Sequence, residues 1–132
     1  MNKMNDIQII HSDDAPKAVG AYSQAMRHAG LLYTSGQIGL LPEKGELVGD
    51  DVESQALQVT KNLSAVLKAA GATVSDIIKV NIYLTDMGDF PLVNGIYADW
   101  LGEHRPARAT VAVAALPLGA KVEIDLIARA NN

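Results

Sequence analysis

A chain of 132 residues and 14.0 kDa is about one domain's worth of polypeptide, which excludes a second catalytic domain. With 48 % hydrophobic residues it has enough apolar side chain to offset chain entropy, so it stands outside the disordered class. A formal net charge of −4 works against phosphate-backbone binding, and the lack of cysteine removes disulfides, thiolate metal sites and a cysteine nucleophile.

Met1 to Gln8 carries charge and asparagine without an apolar stretch, and no apolar run approaches the ~20 residues of a membrane span. The expectation is a soluble, cytoplasmic protein, residues 1–132 forming one domain with neither a membrane nor a nucleic acid as partner. Ile7 to Ile10 reads as a short strand ended by the polar, proline-containing run His11 to Pro16. Ala21 to His28 and Leu31 to Ser35 flank Ala29-Gly30, two extended segments around a tight turn. Gly39 to Gly49 is a loop. Val52, Ala56, Val59, Leu63, Val66 and Ala70 then form one helical stripe, with Asp50 or Asp51 to cap it and Gly71 suited to the left-handed position past its end.

From Ile77 to Thr85 the pattern has period two: Ile78, Val80, Ile82 and Leu84 on one face; Lys79, Asn81, Tyr83 and Thr85 on the other. Asp86 to Asp89 breaks that strand. Phe90, Val93, Tyr97 and Trp100 recur at helical spacing up to Gly102, with Asp89 as cap and Pro91 tolerated in the first turn. Arg108 to Ala115 and Lys121 to Arg129 finish as two alternating strands joined by Leu116 to Ala120. The order β-β-β-α-β-α-β-β suggests an α+β domain, two helices laid on one face of a mixed sheet. The opposite face is polar but rich in β-formers, and needs either water or a partner chain.

Chemistry starts from exclusions. His11, His28 and His104 form no metal-ligand pair, no phosphate-binding glycine loop occurs, and no Gly-x-Ser-x-Gly elbow is present. Neither a metal nor a nucleotide cofactor is supported. What remains is polar groups on otherwise apolar strands. Arg108 and Thr110 share one side of their strand, opposite Ala109, Val111 and Val113. Arg108 is either a strand-end ion pair at the surface or a fork of donors for a carboxylate. Glu123 shares a side with Asp125, and is either a solvated acid or a carboxylate able to activate water beside an apolar pocket. Ser35-Gly36-Gln37 reads as turn chemistry, Tyr22 as a packed aromatic, and Asn94 as a loop-binding helix residue.

Taken in order, Ala15-Pro16-Lys17-Ala18-Val19-Gly20-Ala21-Tyr22-Ser23-Gln24-Ala25, Tyr33-Thr34-Ser35-Gly36-Gln37-Ile38, Asp89-Phe90-Pro91-Leu92-Val93-Asn94, Arg105-Pro106-Ala107-Arg108-Ala109-Thr110-Val111 and Leu116-Pro117 through Lys121-Val122-Glu123-Ile124 carry a resemblance. From Ala15 to the last strand the chain resembles the RidA (YjgF) family of enamine/imine deaminases. The resemblance implies a chorismate-mutase-like α+β fold assembled as a homotrimer with ligand clefts between subunits. It implies hydrolysis of reactive 2-enamino and 2-imino acids, such as 2-aminoacrylate and 2-aminocrotonate, to 2-keto acids and ammonia, which protects pyridoxal-phosphate enzymes. No cofactor is needed. Arg108 matches the arginine that grips the substrate carboxylate and Glu123 the glutamate associated with the hydrolytic water. Tyr22, Ser35, Gly36, Asn94 and Thr110 match positions lining the same cleft. Thr110 stands where many relatives have cysteine, Ala21 replaces a usual proline, and Ala112 replaces a frequent acidic residue. Relatives also suggest two other roles, binding of a small keto or amino acid without turnover, and endoribonuclease or translation-inhibitor activity.

Overall fold

In the computed structural model, which describes residues 6–131, six strands form a single mixed sheet. They are β1 (Gln8–Ile10), β2 (Ala25–His28), β3 (Leu31–Thr34), β4 (Ile77–Leu84), β5 (Ala107–Ala112) and β6 (Val122–Arg129), with helices α1 (Val52–Ala69) and α2 (Phe90–Leu101). The sheet order is β1-β2-β3-β6-β4-β5. All neighbours are antiparallel except β4 and β5, the pair joined through α2, because a parallel pair needs a crossover rather than a tight turn. The expected mixed α+β architecture is thus present. Of the Met1 to Gln8 segment, residues 1–5 lie outside the described part. Among the described residues no helix is long and apolar enough to cross a membrane.

Local chemistry accounts for most boundaries. Ala29 (φ 53°) and Gly30 (φ 80°) both take positive φ, the two-residue turn whose twist matches a hairpin. The strand before it is shorter than the pattern suggests: residues 21–24 are loop, because the buried Gln24 side chain is committed to the 12–16 segment. Its Oε1 accepts from Ser12 N (2.6 Å) and its Nε2 donates to Pro16 O (2.8 Å). At the start of α1 the Asp51 carboxylate accepts from Ser54 N at 2.9 Å, and that bond holds its pKa below the usual carboxylate value. Gly71 (φ 75°) follows the helix end as expected.

Two expectations are corrected. Ile78 does not share the buried face of its strand: a bulge between Ile77 and Lys79 rotates it outward, so Ile77 takes the core position. Asp89 does not cap α2 with its side chain. The chain enters that helix through a 3-10 turn over Met87–Asp89, and Asp86 caps the turn by accepting from Gly88 N at 2.8 Å.

The core lies between the helices and one sheet face. Leu32, Val80, Ile82, Leu84, Val122, Ile124, Leu126 and Ala128 meet Val59, Leu63, Val66 and Leu67 of α1 and Val93, Tyr97 and Leu101 of α2. The other face presents Tyr33, Asn81, Tyr83, Val111, Glu123 and Asp125, none of them buried.

Candidate active site

Glu123 sits on β6 directly across from Tyr83 of β4, on the face away from the helices. On its other side the β3 strand would run on in register, but it is interrupted. Tyr33 pairs with Ile127 and Gln37 with Ile124, so four steps along one chain match three along the other. The extra residue is a bulge over residues 34–36. The Thr34 hydroxyl takes up the displaced bonding by accepting from Leu126 N at 3.0 Å. Ser35 is fixed by its own N–H to Gln24 O (2.9 Å) and its hydroxyl to Ser23 O (2.6 Å), the backbone-bonding role read from its turn chemistry.

Gly36 brings bare backbone against the Glu123 side chain: a Cβ there would lie 2.5 Å from Glu123 Oε2. Half-buried in this notch, the Glu123 carboxyl has its pKa raised, first by burial and second by the nearby Asp125 carboxylate. The notch is the floor of an open cleft of about 880 Å³ lined by Tyr22, Ser35, Gly36 and Glu123, with Ile38, Leu40 and Pro117 among its apolar walls. Tyr22 is no packed core aromatic; it is 53 % exposed at this cleft. One wall is tied down from α1, where the buried Asn62 Nδ2 donates to Leu40 O (3.0 Å) and Ile38 O (3.3 Å).

Arg108 forms a second cluster. On β5, at the sheet edge, its Nη1 donates to Asn94 Oδ1 of α2 at 2.6 Å, and its guanidinium lies 5.2 Å from the ring centres of both Phe90 and Tyr97. No carboxylate is within ion-pairing distance of it among the described residues, so it is not a strand-end ion pair. Two aromatic faces and an amide acceptor orient the guanidinium, and this exposed side chain has no other hydrogen-bond partner among the described residues. Next to it the Tyr97 hydroxyl and Thr110 Oγ1 are buried with no hydrogen-bond partner among the described residues. Burial raises the Tyr97 pKa, against the opposing charges of Arg108 and Arg105.

The seven residues singled out in the sequence therefore fall into two groups. Tyr22, Ser35, Gly36 and Glu123 share the cleft, whereas Asn94, Arg108 and Thr110 lie at the β5 edge beneath α2 and are not among its lining. Pairing explains the division. Arg108 is paired with Val80, which faces the helices, and Glu123 with Tyr83, which faces away. Sequence reasoning missed Phe90 and Tyr97 as supports of the guanidinium, although Phe90, Asn94 and Tyr97 stand at i, i+4 and i+7 and so share one helix face. It also missed Asn81 and Tyr83, whose signal was polar residues alternating with core residues.

The family model described as Endoribonuclease L-PSP matches residues 12–130. The 2-iminobutanoate/2-iminopropanoate deaminase of Rattus norvegicus is 45 % identical over 121 residues, 92 % of this chain and 88 % of that protein. Among solved structures, a protein of the conserved Rid family from Yersinia pestis superposes with TM-score 0.91 at 48 % identity, covering 94 % of this chain and 99 % of the other. Escherichia coli TdcF with bound serine gives TM-score 0.88 at 39 % identity, covering 94 % and 99 %. With the match spanning almost the whole chain and the fold shared throughout, the chain belongs to the RidA (YjgF) family, the one that the Endoribonuclease L-PSP model describes.

Proposed function

We propose that the protein hydrolyses reactive 2-enamino and 2-imino acids, of the 2-iminobutanoate and 2-iminopropanoate kind, to 2-keto acids and ammonia. We further propose that it does so as a trimer whose sites join Glu123 of one copy to Arg108 of the next. The observation that carries this reading is Glu123 itself: a half-buried carboxylate of raised proton affinity, backed by the Gly36 backbone on the floor of an open cleft. The deaminase names of close relatives support the same chemistry.

In this scheme Arg108 of the neighbouring copy holds the substrate carboxylate by charge-assisted hydrogen bonds and so fixes C2 over Glu123. Water adds to C2 of the iminium as Glu123 takes one of its protons, worth ~10²–10⁴-fold in rate. The carbinolamine nitrogen is protonated and leaves as ammonia while the hydroxyl becomes the keto group. The imine is already electrophilic, and this scheme calls on no cofactor.

A second reading, binding of a small amino or keto acid without turnover, is favoured by the serine bound in E. coli TdcF. Ammonia release from 2-aminoacrylate generated in situ by a dehydratase separates the two. Acceleration over the spontaneous rate supports catalysis, and tight serine or pyruvate binding without acceleration supports the second reading. The net charge of −4 weighs against the ribonuclease activity in the family model's description.

A further inference from the structure

Glu123 does not stand alone on its face of the sheet. Two residues further along β6, on the same side, Asp125 is anchored by two donors from β4: Asn81 Nδ2 to Oδ1 at 2.8 Å and Tyr83 OH to Oδ2 at 3.1 Å. Each donor occupies a different carboxylate oxygen, so both oxygens are engaged and the group is fixed in place. The same Tyr83 is the cross-strand partner of Glu123, so one β4 residue lies opposite one acid and donates its hydroxyl to the other. Asp125, Asn81 and Tyr83 take no part in the proposed reaction steps.

We propose that Asp125, held by Asn81 and Tyr83, is a positioning residue whose fixed negative charge sets the basicity of Glu123. The inference rests on the deaminase reading for its use but not for its test. The titratable and charged groups around Glu123 are Asp125 from its own strand and Tyr83 from β4, with Tyr22 of the 20–24 loop, Lys17, Glu43 and Lys44 elsewhere in the lining of the same cleft; the bulge over residues 34–36 contributes none. Of these, Asp125 is the charge that acts on the Glu123 equilibrium, in the same direction as burial. Two neighbouring like charges cannot both ionise freely. The Asp125 carboxylate is fixed by its two donors beside Glu123, so its charge adds to burial in raising the proton affinity of the group at the cleft. A stronger base takes the proton of the attacking water more readily.

The test is the titration of Glu123 in the intact protein, followed by the carbon-13 resonance of its side-chain carboxyl and assigned by its loss in Glu123→Gln. Asp125→Asn, nearly isosteric, is expected to lower that midpoint by about half a unit or more. The acid limb of kcat/KM should move down with it, while Asp125→Glu restores both. If Asp125→Asn fails to fold, Asp125→Ser removes the same charge and is expected to give the same shift. A folded Asp125→Asn or Asp125→Ser whose Glu123 midpoint is unchanged, or whose rate falls by one factor at every pH, overturns the inference. Absence of deaminase activity in the unaltered protein defeats the deaminase reading instead, and leaves the titration as the judge of the coupling.

Discussion

Arg108 and Glu123 lie on opposite faces of one sheet, Arg108 turned toward the helices at the β5 edge and Glu123 turned away from them on β6. The strand between them, β4, separates a guanidinium with free donors from a carboxylate with a cleft above it. One copy of the chain does not bring the two groups together, and the proposed trimer is the arrangement that would join them across an interface.

Subunit mixing tests this directly. Arg108→Ala and Glu123→Gln are each expected to lose at least ~10²-fold in kcat/KM, since one removes charge-assisted anchoring and the other the base. Sedimentation should report a trimer for both. Unfolded together in equal amounts and refolded, they are expected to regain about a quarter of normal activity, because random mixing gives that fraction of interfaces two intact halves. No recovery from well-folded mixed trimers places both residues of a site in one copy.

Glu123→Gln also has a stability consequence. The raised pKa means the folded protein binds this proton more tightly than the unfolded chain, so ionising Glu123 opposes folding. Stability contributed at low pH is lost as pH rises through the folded-state value, which is raised from that of an ordinary glutamate. Thermal denaturation at neutral pH should therefore show Glu123→Gln at least as stable as the parent while turnover is lost. A markedly lower Tm would assign Glu123 a structural role. Activity of the parent should fall as pH drops through the same raised value.

Gly36→Ala is expected to leave the fold intact and reduce kcat by ~10–10²-fold. The added Cβ would lie 2.5 Å from Glu123 Oε2, and the flexible carboxylate can swing aside, so the cost falls on geometry rather than on stability. A crystal structure of the variant should show the carboxylate displaced from the notch; an unmoved carboxylate with full activity contradicts the fit described above.

The cleft wall depends on a buried amide. Asn62→Ala leaves the Leu40 carbonyl without its donor, removes the second of two donors to Ile38 O and breaks the bond from Gln58, a loss of ~1–3 kcal/mol. Denaturant melts should register it, and hydrogen exchange should quicken in the 38–49 loop before it does in β6.

Much of the fold was legible because apolar spacing reports burial directly. The α1 stripe, the alternation along β4 and β6, and the Ala29-Gly30 turn all match simple periods. The misreadings share one cause: a neighbour's demand overrode local pattern. Ile78 alternates correctly with Val80 yet is turned out by a bulge that pairing with β6 imposes. Gln24 reads as part of a strand, but its amide is spent on the loop at 12–16. At the site, Arg108 and Glu123 could be singled out as polar groups on apolar strands, whereas the guanidinium's seat between Phe90 and Tyr97 needed the α2–β5 packing.

The amino-acid sequence by itself determined the order of elements, the buried stripe of α1 and the alternation along most of β4 and β6, and the residue types able to hold an anion and accept a proton. Only the tertiary structure decided that β6 lies between β3 and β4, which sets the bare backbone of Gly36 against Glu123, and that β5 runs parallel to β4 with Arg108 on the far side. The physical reason is that side-chain alternation is a property of one strand. Backbone hydrogen bonds are alike in every strand, so which strands become neighbours, and in what register, is settled by how the whole chain packs.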